Sequence, residues 1–397
     1  MKTGIIGSGT MGTGIAVSFA NSGAAVCVVD ADASALERAN TTIERIYRSS
    51  VERGATSAEA ADQRRANIAL GTDFGALADA ELVVEAAFEN LEVKRGLFAQ
   101  LGLLVSSDAI LATNTSTLDI DAIAGAAPHP ERTLGMHFFS PAHVMKLVEI
   151  VRGAQTSRET IDRVVQIARS LGKLPVVVGN CDGFVGNRML LRYRREMELL
   201  LEAGATPQQV DSTLRAFGFA MGPFAVADLA GLDISYKAKQ ERLARGGLPF
   251  RQSRIPDLLV EAGRLGQKTR AGYYRYEPGD RAPWPDDAVD AIIAAERERL
   301  GIVPRVVDGD EIVKRATLAL FSEGARILRD GIADGAADID TIWRNGYGFP
   351  VARVGPMAYA ASRGRDAVAA DIAAYAMKDP TFWDPSVASA IPLEETE

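Results

Sequence analysis

Six residues near the start of the chain, Gly7-Ser8-Gly9-Thr10-Met11-Gly12, constrain the fold more than any other feature. The run fits the spacing G-x-G-x-x-G, a weak signal alone that gains weight from its surroundings. Residues 3–6 ahead of it form a short apolar run of strand type. An apolar helix is predicted from about residue 11 to residue 20, and residues 25–29 read as a second strand ending at Asp30. Strand, tight turn, helix and strand make a βαβ unit. In such a unit Gly7 permits the turn, Gly9 lets a pyrophosphate approach the backbone, and Gly12 allows the helix to close on the strand. The N–H groups at the helix start, where Thr10 and Met11 stand, and the helix dipole favour phosphate. Asp30 occupies the place of a carboxylate that receives ribose hydroxyls. Its charge repels a 2′-phosphate, and Ala31-Asp32 supplies no arginine to compensate. The expectation is a Rossmann-type domain that takes NAD rather than NADP. A glycine turn used only for packing is the bland alternative, and strand, helix and acid together weigh against it.

Two charged helical stretches, residues 34–53 and 57–66, read as a helical hairpin inserted into this domain. Strand-like runs return at residues 82–85, 110–113, 133–137, 147–151 and 174–178. Strands alternating with helices predict a mostly parallel, doubly wound sheet with helices on both faces. After Gly179 helical patterns dominate, and a proline- and charge-rich stretch at residues 277–287 marks a second boundary. The predicted organisation is a nucleotide-binding domain over residues 1–180 and helical modules over 181–285 and 300–397. The modules share an order of features. The first has Glu202-Ala203-Gly204, Asp211, Phe217-Gly218-Phe219 and Gly222-Pro223. The second has a helix through Glu323 to Gly331, then Asp340, Gly346-Tyr347-Gly348-Phe349 and Gly355-Pro356. The fold class is therefore α/β, followed by a duplicated all-α C-terminal region.

Composition narrows the function. A chain of 397 residues exceeds one compact core, and 47% hydrophobic with 24% charged residues is ordinary for a globular protein. A net charge of -8 argues against nucleic acid and anionic membranes as partners. Cys27 and Cys181 form no disulfide framework or CxxC motif, which fits a reducing compartment, and no apolar run reaches membrane-spanning length. The chain enters a strand pattern at once, so no signal peptide is expected, and Glu394-Glu395-Thr396-Glu397 matches no recognised targeting tail. A cytoplasmic location is expected.

The histidines are His129, His137 and His143, too few for a zinc site without a cysteine pair, so no metal is expected. His129 lies between two prolines, on a loop. His137 ends a strand, and the carboxyl ends of sheet strands are where doubly wound proteins bind ligands. Glu149 sits inside the apolar run Leu147-Val148-Glu149-Ile150-Val151 and needs a partner there. A histidine on a neighbouring strand would serve, and the carboxylate would orient the imidazole for general-base work. A strand-end histidine is also commonly structural, and spacing alone leaves both readings open.

The run from His137 to Glu149, His137-Phe138-Phe139-Ser140-Pro141-Ala142-His143-Val144-Met145-Lys146-Leu147-Val148-Glu149, closely resembles the signature of the L-3-hydroxyacyl-CoA dehydrogenases. So do Asn114-Thr115-Ser116, Asp182-Gly183-Phe184-Val185-Gly186-Asn187-Arg188 and Gly266-Gln267-Lys268-Thr269. The resemblance runs from the first strand to about residue 375 and looks strongest to the dehydrogenase half of the multifunctional β-oxidation enzymes, peroxisomal and bacterial. It implies NAD-dependent, reversible oxidation of an L-3-hydroxyacyl-CoA thioester to the 3-oxoacyl-CoA. His137 then matches the catalytic base and Glu149 its partner. Ser116 matches a residue bonding the substrate oxygen near the nicotinamide, and Asn187 a substrate-orienting amide. Glu89, Lys94 and Lys268 match cofactor contacts, and Tyr347 a substrate-side position. Ser140 replaces the asparagine that many members place beside the nicotinamide, so that contact is lost or passes through water. The hydratase region of the multifunctional relatives is not expected, because the first strand starts at Thr3.

Arg45, Arg48, Arg53, Arg64 and Arg65 on the hairpin are either a solvated face, the favoured reading, or a counter-surface for the CoA phosphates. Relatives with one helical module dimerise through it. A second copy in the chain would cover that surface, so a monomer is expected and a dimer is the alternative. A hydratase or thiolase partner is not readable. Two rival functions remain: a dehydrogenase of free 3-hydroxy or sugar acids, separated by activity without a thioester, and a non-catalytic nucleotide-binding scaffold. Ser116, His137, Glu149 and Asn187 together argue against the scaffold.

Overall fold

The computed structural model describes residues 1–244 and 246–392, so the Glu394–Glu397 tail lies outside them. Eight strands form one sheet: β1 Lys2–Ile6, β2 Ala25–Val29, β3 Ile68–Gly71, β4 Leu82–Glu85, β5 Ile110–Thr113, β6 Thr133–Phe138, β7 Leu147–Arg152 and β8 Leu174–Gly179. Their order across the sheet is β3-β2-β1-β4-β5-β6-β7-β8. Every pair is parallel except β6 with β7. The helices are α1 Thr10–Asn21, α2 Ala33–Glu52, α3 Ala58–Ala66, α4 Leu91–Leu104, α5 Ile120–Ala124, α6 Arg158–Ser170, α7 Gly186–Ala203, α8 Pro207–Phe217, α9 Pro223–Ala230, α10 Leu232–Ala244, α11 Ile255–Glu261, α12 Asp287–Leu300, α13 Gly309–Arg329, α14 Ala336–Gly346, α15 Pro356–Arg363 and α16 Arg365–Ala376.

The chain divides into two units, Met1–Asn187 with Asp330–Gly346, and Arg188–Arg329 with Tyr347–Glu397. The first is the Rossmann-type domain. Helices cover both faces of a parallel sheet, so its inner strands read as unbroken apolar runs. Every residue of β4 and β5 is buried accordingly. One core layer gathers Ile5, Ile15, Phe19, Val28 and Val84. The other gathers Ile6, Val83, Phe98, Leu101 and Leu111. The inserted hairpin is present as α2 and α3, started by the side chains of Asp32 and Ser57, which accept from Ser34 N at 2.8 Å and Ala60 N at 3.1 Å. Strand β3, which follows it, was not predicted: it has four residues and Ala69 is exposed, so no periodicity marks it.

The antiparallel step has a local cause. Residues 139–146 between β6 and β7 are fewer than the roughly dozen that a parallel crossover needs, so the chain turns back on itself. Further along, α14 packs against β7 and β8. Residues 330–346 therefore belong with the sheet, although 300–397 was expected to form one helical module.

Within the second unit, Asp211 on α8 fastens the start of α9. It accepts from Phe224 N at 3.0 Å, Ala225 N at 2.9 Å and the Tyr274 hydroxyl at 2.9 Å. A Cβ at Gly222 would stand 2.2 Å from its carboxyl carbon, which is why glycine precedes Pro223. Burial pushes the Asp211 carboxyl up to about 6 against these bonds. The repeated order of features maps onto elements of similar length: α7, α8 and α9 have 18, 11 and 8 residues, and α13, α14 and α15 have 21, 11 and 8. Among the described residues no helix is long and apolar enough to cross a membrane.

Candidate active site

The turn between β1 and α1 is built around its glycines. Gly7 has a φ of +92°, and a Cβ there would lie 2.6 Å from the Ala86 carbonyl oxygen. A Cβ at Gly12 would lie 1.8 Å from the Gly7 carbonyl oxygen, so the helix closes on the turn only without one. Gly9 differs. Its φ of -66° suits any residue, and a Cβ there would meet no protein atom within 4 Å. Neither strain nor packing requires glycine at that position, so the space fits a ligand approaching the backbone. Gly9 and Thr10 are exposed, Met11 is half-buried, and no side chain caps α1. Its first-turn N–H groups suit a pyrophosphate.

Asp30 follows β2. Its carboxylate accepts from Ser8 N at 2.7 Å, Ser8 Oγ at 2.8 Å and Asp32 N at 3.0 Å. Partial burial works to raise its pKa, but the bonds from Asp32 and Ser8 prevail and hold the carboxyl below the usual range. The group is thus an anion fixed beside the turn, matched to ribose hydroxyls and hostile to a 2′-phosphate. These features fit NAD.

The antiparallel register of β6 and β7 sets His137 directly opposite Glu149. His137 Nδ1 lies 2.6 Å from Glu149 Oε2, and the other oxygen, Oε1, accepts from Gly186 N at 3.0 Å. Glu149 is fully buried. With Nδ1 facing a carboxylate, the neutral ring carries its proton there and leaves Nε2 with its lone pair as an acceptor. The imidazole is held by ring contacts to Phe139 and Phe184, whose centroids lie 4.6 and 5.7 Å away. Phe184 has a φ of +50°, a strained conformation for a bulky residue, in the turn that delivers the Gly186 amide to Glu149. Asn187 follows at once on α7.

Ser116 lies half-buried after β5, and its amide donates to Glu89 Oε1 at 3.0 Å. The same loop is tied to β6, because Phe138 N donates to Asn114 Oδ1 at 2.8 Å. Lys94 is fully buried, with its ammonium 2.7 Å from Glu85 and 3.3 Å from Glu89. Glu85 escaped the sequence reading: it ends a strand of ordinary pattern, and no local signal gives its partners. Ser140 is exposed and precedes a cis proline. Lys268 and Tyr347 belong to the second unit, where Lys268 Nζ pairs with Asp233 at 2.5 Å and Tyr347 is half-buried. On the hairpin, Arg64 and Arg65 are spent locally, on Thr56 Oγ1 at 3.3 Å and the Ile68 carbonyl at 3.0 Å, whereas Arg45, Arg48 and Arg53 are exposed. A cavity of about 510 Å3 in the second unit is lined by none of the predicted site residues, and its Arg251 and Arg305 are paired with Glu202 and Glu311. Among the described residues no His, Cys, Asp and Glu are grouped to hold a metal.

Two family models match: the 3-hydroxyacyl-CoA dehydrogenase NAD binding domain over residues 2–181 and the 3-hydroxyacyl-CoA dehydrogenase C-terminal domain over residues 183–276. The peroxisomal bifunctional enzyme of Cavia porcellus is 42% identical over 393 residues, 96% of this chain and 54% of its own length. The chain thus spans about half the length of the curated relatives it matches. The crystal structure of 3-hydroxybutyryl-CoA dehydrogenase from Escherichia coli K12 superposes with a TM-score of 0.84 at 29% identity, covering 98% of this chain and 97% of that one. That of the dehydrogenase part of multifunctional enzyme 1 from C. elegans gives 0.70 at 30% identity, covering 98% and 89%. With an NAD-binding turn, a buried histidine–carboxylate pair and these matches, the chain belongs to the 3-hydroxyacyl-CoA dehydrogenase family of oxidoreductases.

Proposed function

We propose that the protein interconverts L-3-hydroxyacyl-CoA and 3-oxoacyl-CoA thioesters with NAD, as a step of fatty-acid β-oxidation type. The His137–Glu149 pair carries the proposal: a buried carboxylate spent on Nδ1 at 2.6 Å leaves Nε2 for a substrate hydroxyl. NAD held at the turn would supply the hydride acceptor for carbon 3. In that direction the hydroxyl proton passes to His137 Nε2, and Glu149 stabilises the imidazolium that forms. Ser116 and Asn187 orient the substrate oxygen. Gly7, Gly9, Thr10, Met11, Gly12 and Asp30 hold the dinucleotide; the family resemblance implies Glu89, Lys94, Ser140 and Lys268 as further cofactor contacts and Tyr347 as a substrate contact. Cys27 and Cys181 are thiols rather than disulfide halves, and a cytoplasmic setting is part of the proposal.

NADH consumption tests the reading with acetoacetyl-CoA, longer 3-oxoacyl-CoAs and the matching free acids, each with NADH and NADPH. Thioester-dependent oxidation of NADH is expected, with NADPH about 10²-fold poorer in kcat/KM because of the Asp30 charge. Turnover of free acids alone would overturn the substrate. NADH binding without turnover of any of them would favour the scaffold.

A further inference from the structure

The carboxyl ends of β4 and β5 carry a buried ion cluster. Glu85 closes β4 opposite Thr113 on β5 and is fully buried. Its Oε1 accepts from Lys94 Nζ and Ala87 N, both at 2.7 Å. Its Oε2 accepts from Lys94 Nζ at 2.9 Å and Thr113 Oγ1 at 2.6 Å. Lys94 reaches inward from α4 and also meets Glu89 Oε2 at 3.3 Å. Glu89 in turn accepts, on Oε1, from Thr115 Oγ1 at 2.6 Å and from the Ser116 amide at 3.0 Å. Thr115 Oγ1 then accepts from Leu118 N at 3.0 Å, which closes the turn around Ser116.

The buried Lys94 ammonium and Glu85 carboxylate persist only when each is partnered, and the half-buried Glu89 completes the set, so the members of this cluster fix one another. The bonds end on the Ser116 backbone and on the hydroxyl of the residue before it. We propose that Glu85 and Thr115 are positioning residues: Glu85 anchors Lys94, Lys94 anchors Glu89, and Glu89 with Thr115 sets the backbone from which the Ser116 hydroxyl projects. The proposal rests on the reading of Ser116 as a contact to the substrate oxygen. Positioning matters at this scale because a displacement of about 1 Å near a reacting centre costs about 10²-fold in rate.

Three variants test it. Glu85→Gln keeps the shape of the side chain and removes the charge that holds Lys94. Thr115→Val removes the hydroxyl, and Thr115→Ser retains it. The expected result is a fall in kcat at saturating NADH of about tenfold or more for Glu85→Gln and Thr115→Val, with Thr115→Ser near normal. Hydrogen exchange over residues 114–118 accelerates in the first two variants and not in Thr115→Ser. Unchanged exchange there, unchanged kcat despite faster exchange, or a Thr115→Ser enzyme as impaired as Thr115→Val would each overturn the proposal. So would a kcat that saturating NADH restores to the wild-type value. If Glu85→Gln does not fold, the Thr115 pair decides alone. If the wild type turns over no 3-oxoacyl-CoA, the catalytic reading of Ser116 falls, and the exchange rates still decide whether the clamp holds its backbone.

Discussion

Glu149 has no exposure, and both of its oxygens are engaged, one by His137 and the other by the Gly186 amide. Burying a carboxylate costs several kcal/mol unless such partners are present, so the pair is costly as structure and useful as chemistry. Glu149→Gln conserves the shape but offers the imidazolium no charge. We expect kcat to fall about 10²–10⁴-fold with NADH Kd little changed, measured with acetoacetyl-CoA. A variant within threefold of wild type would show that the carboxylate only packs. The pair was legible in the sequence because an acid inside an apolar strand demands a partner, and His137 ended the strand before it. Gly186 was not legible as its third member, because that contact depends on Phe184 taking a φ of +50°, which nothing in Asp182-Gly183-Phe184 announces. Glu85 and Thr115 were missed for a similar reason: their partners come from other elements.

At the scale of elements, the strands that predicted well are the buried ones. β4 and β5 are continuous apolar runs bounded by polar residues, and their limits were read without error. The antiparallel direction of β7 was not read from the sequence, and its cause is the short connection over residues 139–146. In the helices the informative residues are buried acids. Glu198 on α7 is buried, and desolvation pushes its carboxyl up to about 7, against the pull of Arg194 and Lys239. A folded pKa above the unfolded one means that stability present below pH 4.5 is lost as pH rises to about 7. Glu198→Gln removes that loss. The variant should unfold at the same temperature as wild type at pH 4.5 and at a higher temperature at pH 8, by the equivalent of up to about 3 kcal/mol. Asp211 and Asp228, both pushed up to about 6 chiefly by burial, keep their own slope in the variant. Identical melting curves at pH 8 would contradict the argument.

At the scale of the whole molecule, the Rossmann-type unit was legible from one turn, one acid and a strand–helix alternation. The division of the helical region was not. Residues 330–346 join the sheet-bearing unit through α14, although the sequence groups them with the module that repeats α7 to α9. Repeats in sequence report common local structure and leave tertiary allegiance open. We propose that the second copy covers the surface through which single-module relatives pair, so static light scattering should give the mass of one chain, 42.3 kDa. A stable dimer would contradict it. The central claim is that His137 Nε2 moves the substrate proton, and its most direct test is His137→Gln assayed for acetoacetyl-CoA reduction beside an NADH titration. The account predicts a turnover lowered about 10²–10⁴-fold with NADH bound at near wild-type affinity. Turnover close to wild type in that variant would contradict it.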